Sequence, residues 1–138
     1  MLERLNGNLQ FHGQALLLRA ERQKVLAGNI ANADTPGFKA RDFEFTKALQ
    51  DAVGRGAPGA NTPASSATDP RHLPVGGAGQ PGDPKLLYRQ PEQPSIDGNT
   101  VDLDRERANF ADNSVRYEAT LRFINGNVRT ILSAIRGD

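Results

Sequence analysis

The sequence predicts an all-α fold: two long terminal helices packed as an antiparallel coiled coil, a short extra helix, and a largely irregular Pro/Gly-rich middle. Three observations predict it. Apolar residues recur at helical spacing over both ends of the 138-residue chain. A dense turn-forming block, Asn29-Ile30-Ala31-Asn32-Ala33-Asp34-Thr35-Pro36-Gly37-Phe38-Lys39, closes the first pattern. Eight of the nine prolines fall between Pro58 and Pro94, so the two patterns are separated by a stretch that cannot continue either helix.

In the first helix, expected over most of residues 2–31, Leu2, Leu5, Leu9, Leu16, Leu26 and Ile30 fall on one three-four repeat. Phe11, Ala15, Leu18 and Val25 form a second stripe beside it. His12, Arg19 and Gln23 take the remaining seam positions, so the seam is not uniformly dry. Such a helix is about 45 Å long and cannot bury both stripes alone. Its end is marked chemically. Asn32 is expected in a left-handed capping conformation, and Thr35-Pro36-Gly37 supplies the fixed φ and the free φ of a type II turn. A short helix from Phe43 to Val53, capped by Asp42, follows and ends at Gly54 and Gly56.

The middle carries too few apolar residues for a core and reads as a linker or surface loop, with Lys85-Leu86-Leu87-Tyr88-Arg89 as a short strand. The organisation is therefore 1–53 for the first helix, turn block and short helix, 54–95 for the linker, and 96–138 for the last helix. In that helix Leu103, Phe110, Tyr117, Leu121, Ile124, Val128, Ile131 and Ile135 alternate steps of three and four once Arg107 and Ser114 are entered at polar positions. Asp102 is its N-cap, Asp104 and Glu106 lie at its positive end, and Arg129 and Arg136 lie near its negative end. Gly126 interrupts it, either to admit a neighbouring helix or because packing outweighs the cost of about 1 kcal/mol.

Composition excludes several function classes. A formal charge of +1, from 17 basic and 16 acidic residues that are well mixed, gives no footprint for nucleic acid or an anionic membrane. No cysteine is present, which removes thiol catalysis and the commonest structural zinc sites. The start lacks the basic and apolar regions of a cleavable signal, and no apolar run is long enough for membrane insertion. Asp97 to Glu106 fails the spacing of a calcium loop, because Asp102 stands where glycine is required. His12 and His72 have no partners at metal-ligand spacing, and Gly76, Gly77 and Gly79 do not open a helix as a phosphate loop would. No catalytic residue, cofactor or metal is expected, and an enzyme is improbable. Two amphipathic helices with more apolar face than one hairpin buries imply a subunit of an assembly.

The block from Asn29 to Lys39, followed by Ala40-Arg41-Asp42-Phe43-Glu44-Phe45, resembles the N-terminal signature of bacterial flagellar rod, hook and filament-junction proteins. Asp97-Gly98-Asn99-Thr100-Val101-Asp102-Leu103-Asp104-Arg105-Glu106, with Asn113 and Tyr117, resembles the C-terminal half of one proximal rod member. The sister proximal rod protein FlgC shares the first signature, and the block from Val101 to Glu106 argues against it. The resemblance covers residues 1–53 and 95–138. It implies a structural subunit of the proximal rod of the flagellar basal body, lying in the periplasmic space. That subunit would help transmit torque and form the export channel, and would leave the cell through the flagellar type III apparatus without a cleaved signal. The implied partners are further copies of the chain in a helical assembly, the rod proteins FlgC, FlgF and FlgG, FliE, and the MS-ring and export-gate proteins.

The residues expected to carry that assembly are Leu5, Leu9, Leu16, Leu26 and Ile30 on the first helix and Phe110, Tyr117, Leu121, Ile124, Val128, Ile131 and Ile135 on the last. Asn29, Asn32, Thr35, Pro36, Gly37 and Phe38 form the turn motif that shapes contacts between subunits. A reading of a different class is a cytosolic helical adaptor or chaperone-like hairpin, which would stay in the cytoplasm and not sediment with basal bodies.

Overall fold

A computed structural model of the chain describes residues 2–55, 84–90 and 96–137. Much of the interval expected as a linker, with the Gly76-Gly77-Gly79 cluster and His72, lies outside the described residues.

Helix α1 runs Leu2–Ala31. Asn32 ends it without entering the left-handed region expected there: among the described residues every positive φ belongs to a glycine. The side chain does the work instead. Its Nδ2 donates to the carbonyl of Gly28 at 2.8 Å, which also accepts from the Asn32 N–H at 3.2 Å. The expected type II turn forms, with Phe38 N–H donating to Thr35 O at 3.2 Å and Gly37 at φ 74° in the position that requires a positive value.

Strand β1, Arg41–Asp42, then pairs antiparallel with β2, Leu87–Tyr88, in the register Arg41↔Tyr88 and Asp42↔Leu87. The strand expected over residues 85–89 thus shortens to two residues, extended by Arg89 N–H donating to Ala40 O at 2.9 Å. Helix α2 is Phe45–Arg55, starting two residues later than the sequence pattern suggests. Two groups hold the chain out of helix there. Phe43 is buried, and the Asp42 carboxylate expected as a cap is taken by Arg22 and Arg89.

Helix α3 is Leu103–Arg136, with Asp102 in extended conformation accepting from Arg105 N–H at 3.1 Å, the N-cap that the sequence predicts. It runs antiparallel to α1. Asn29 meets Glu106, Gln23 meets Ser114, and the His12 ring stacks on that of Phe123 with centroids 6.0 Å apart. α2 packs against α1 nearby, where the Arg19 guanidinium lies 4.3 Å over the Phe45 ring.

The apolar core is small: Ala15, Leu18, Leu26, Ala40 and Phe43. The most buried residues of α3 are polar and seven apart, namely Glu106, Asn113 and Thr120. An alternating three-four pattern supports two adjacent seams, and α1 selects the polar one because it presents Asn29, Gln23 and the Arg19 carbonyl there. Gly126 is exposed, and an added methyl group would meet nothing within 4 Å, so no close approach to it is made within the chain.

Candidate functional site

The geometry that distinguishes this chain is a junction where the end of α1, the turn block, both strands and the start of α3 converge. Its upper part joins two sequence blocks far apart in the chain. Asn99 is buried, and its Nδ2 donates to three carbonyls, Asn32 at 3.0 Å, Ala33 at 2.7 Å and Thr35 at 3.0 Å. These oxygens lie past the end of α1; those of Asn32 and Thr35 also accept from Thr35 N–H and Phe38 N–H, so the amide matters most to Ala33. Asn99 Oδ1 in turn accepts from Val101 N–H at 2.8 Å, which fixes the amide orientation. Gly37 N–H donates to Asp97 O at 2.9 Å and Thr100 N–H to Phe38 O at 3.0 Å. The Thr100 hydroxyl accepts from Ala40 N–H at 2.8 Å, and Lys39 Nζ donates to Gly98 O at 2.6 Å. Gly98, at φ 73°, stands so close that a Cβ on it would lie 3.9 Å from the Gly37 Cα.

The lower part is a buried charge network. Arg22 grips Asp42 with two hydrogen bonds, Nε to Oδ1 at 3.1 Å and Nη2 to Oδ2 at 3.0 Å. Arg89 Nη2 donates to the same carboxylate, and its Nη1 donates to Glu106 Oε1 at 2.6 Å. Asn29 completes the network, its Nδ2 donating to Glu106 Oε2 at 3.1 Å and to Arg41 O at 2.7 Å while its Oδ1 accepts from Arg41 N–H. Burial acts to raise the Asp42 carboxyl, but hydrogen bonds from Arg22 and Arg89 outweigh it and hold the group below its ordinary value. Burial, with the positive charges of Arg116 and Arg22, pushes the Arg19 guanidinium down, against a smaller opposing effect of Asp112.

Sequence reasoning placed Glu106 at the positive end of α3 and gave it no buried partner. The structure corrects this: Glu106 is 1% exposed, because Arg89 and Asn29 supply the charge and hydrogen bonds that make burial tolerable. Arg22 was not singled out, and Arg89 and Asn99 entered only as members of the expected strand and of the block from Asp97 to Glu106. Their partners lie 20, 47 and 64 to 67 residues away, so no local pattern carries them.

Of the turn-motif residues, Asn29 is buried in the charge network, Asn32, Thr35 and Gly37 accept or donate in the upper junction, Phe38 is half-buried, and Pro36 is exposed. Of the apolar residues, Leu26 is buried and Leu9, Leu16 and Ile30 are half-buried, while the side chain of Leu5 lies outside the described residues. On α3 the stripe divides. Phe110 and Tyr117 line a groove with α1 residues and, like Ile124 and Ile131, are half-buried, whereas Leu121, Val128 and Ile135 are 38%, 39% and 76% exposed. A groove of about 440 Å³ between Ala20, Gln23, Ala27, Phe110 and Tyr117 opens beside this exposed row. Among the described residues no group of three His, Asp or Glu side chains gathers as a metal site would require, and no helix is long and apolar enough to cross a membrane.

The family described as Flagella basal body rod protein matches residues 9–39, all of α1 after its first seven residues together with the turn block. Full-length relatives match as well. The chain is 48% identical over 136 residues to the flagellar basal body rod protein FlgB of Yersinia ruckeri, covering 99% of this chain and 98% of the relative. It is 46% identical to that of Escherichia coli K12 over the same shares, and 41% identical to that of Cereibacter sphaeroides over 94% of each. The two blocks that dock in the junction, and the helices that they join, lie within these alignments: the chain belongs to the flagellar basal body rod protein FlgB family.

Proposed function

We propose that the chain is a structural subunit of the proximal rod of the flagellar basal body, assembling through its terminal helices and carrying out no catalysis. The observation that carries this reading is the combination of a rigid junction with an uncovered apolar row. The junction fixes α1 and α3 side by side, and Leu121, Val128 and Ile135 are left facing outward from the pair. A face of this kind is stabilised when neighbouring subunits cover it. Repeated head-to-tail, such contacts generate an open helical array, the geometry of a tube that transmits torque and encloses an export channel.

In this role residues 1–53 and 96–138 form the packing body, and residues 54–95 link them. The neighbours are further copies of the chain, the rod proteins FlgC, FlgF and FlgG, FliE, and the MS-ring and export-gate proteins. The location is the periplasmic part of the basal body, reached by flagellar type III export without a cleaved signal. Electron cryomicroscopy of basal bodies isolated from the source cells tests the reading. Density for α1 and α3 in the proximal rod supports it; a rod complete without this chain, with the protein confined to the cytoplasm as an adaptor would be, overturns it.

A further inference from the structure

We propose that residues 84–90 act as a charge-keyed strap that holds the helix junction shut, with Arg89 as its key. Among the described residues the strap's other fastenings are light, with the Arg41 guanidinium 5.7 Å from the Tyr88 ring centroid and Arg89 N–H reaching Ala40 O at 2.9 Å. Its apolar side chains Leu86, Leu87 and Tyr88 are 41%, 52% and 70% exposed, so burial contributes weakly. Its ladder to β1 has two residue pairs. Arg89 is different in kind: its side chain is 19% exposed and its guanidinium reaches Asp42 on β1 and Glu106 on α3 together.

The two carboxylates differ in what they keep when Arg89 leaves. Asp42 retains the bidentate grip of Arg22 from α1. Glu106 retains in the network only the neutral amide of Asn29, at 1% exposure. A buried carboxylate deprived of its cation is strongly unfavourable, and it recovers solvation by moving toward water. Glu106 sits in the first turn of α3, directly after the Asp102 cap, so that movement displaces the start of the helix. The turn at Asp97 to Thr100 is continuous with that cap and carries the Asn99 contacts to the end of α1. Lifting the strap therefore opens the upper junction as well, while among the described residues the α1/α3 seam beyond Asn113 has no hydrogen bond or ion pair to the strap. The strap is a latch on one end of the helix pair. It is a property of the single chain and stands whether or not the rod assignment holds.

Native-state amide hydrogen exchange on the full chain tests the latch. The N–H at position 89, bonded to Ala40 O, reports the strap, and Thr100 N–H, bonded to Phe38 O, reports the upper junction. R89Q should exchange at least tenfold faster at both positions and leave the helix around Thr120 unchanged. Adding E106Q to R89Q should restore most of the protection, because a neutral amide needs no cation; adding D42N instead should not. Exchange in R89Q within twofold of the parent overturns the proposal. So does uniform acceleration along both helices, and so does failure of E106Q to restore protection. Should R89Q not fold, the R89Q/E106Q chain decides: a folded chain supports the charge logic and an unfolded one refutes it.

Discussion

The side-chain amide of Asn99 donates to the carbonyl oxygen of Ala33 at 2.7 Å across 66 residues of sequence. The same nitrogen serves Asn32 and Thr35, so a single amide closes the end of α1 onto the approach to α3. Asn99→Ala removes that donor and leaves the Ala33 carbonyl to find another partner, while the Asn32 and Thr35 carbonyls keep Thr35 N–H at 3.1 Å and Phe38 N–H at 3.2 Å. The loss expected is about 1–3 kcal/mol, read as a lower urea midpoint at unchanged slope. Asn99→Asp should lose more, because it points an acceptor at three acceptors; equal stability of the two variants would show that the contacts are incidental.

Gly37 is constrained by its backbone and not by crowding: φ is 74°, yet no atom lies within 4 Å of an added Cβ. Gly37→Val should therefore cost about 1–3 kcal/mol through conformation alone, and Gly37→Asn, which tolerates the left-handed region, should cost less. Thermal melting of both variants compares them. Swimming assays of complemented cells should show the Val variant exported but poorly recovered in rods.

Asp42 couples the junction to acidity. Its folded carboxyl lies below the ordinary value, so its contribution is fully present above about pH 4, the unfolded value, and is lost as pH falls through the folded one. The parent should lose stability on acidification in that range by up to about 1.4 kcal/mol per pH unit from this group. Asp42→Asn should be less stable at neutral pH and show a shallower acid dependence. Urea midpoints measured across the acid range check the sign.

The exposed row and the buried row of α3 should fail in different ways. Leu121 and Val128 are only 38% and 39% exposed, so Leu121→Asp and Val128→Asp should each cost the single chain about 1 kcal/mol and leave it folded. Rod incorporation and swimming should nevertheless be lost. Thr120→Asp places a carboxylate in the α1/α3 seam and should cost several kcal/mol in the isolated chain. Normal swimming with Leu121→Asp would show that the row faces no neighbour.

Periodicity made the helices legible, because burial of one face imposes a spacing that a single sequence displays. The limits of α1, the Asp102 cap and the turn at Gly37 follow from local chemistry and could be read directly. What could not be read was which of two neighbouring seams on α3 faces α1. Leu121 and Glu106 sit on adjacent rows, and hydrophobicity alone favours the wrong one for the inside of the pair. The choice is made by Asn29, Gln23 and Arg89, whose partners no local pattern supplies and which become decisive once folding brings them opposite Glu106 and Asn113. The same long-range demand on Asp42 moved the start of α2.

A seam of leucines permits sliding, since moving one helix along the other by a heptad sets leucine against leucine again. The seam between α1 and α3 does not repeat in that way. Asn113 is matched to the Arg19 carbonyl and Gln23, and Glu106 to Asn29, so a shift of seven residues, about 10 Å, would face each polar group with a stranger. The pair therefore behaves as a keyed shaft: it gains less from burial than an oily one, and it resists axial shear until its hydrogen bonds break together. In a structural subunit built on two packed helices, that fixed register matters more than depth of core.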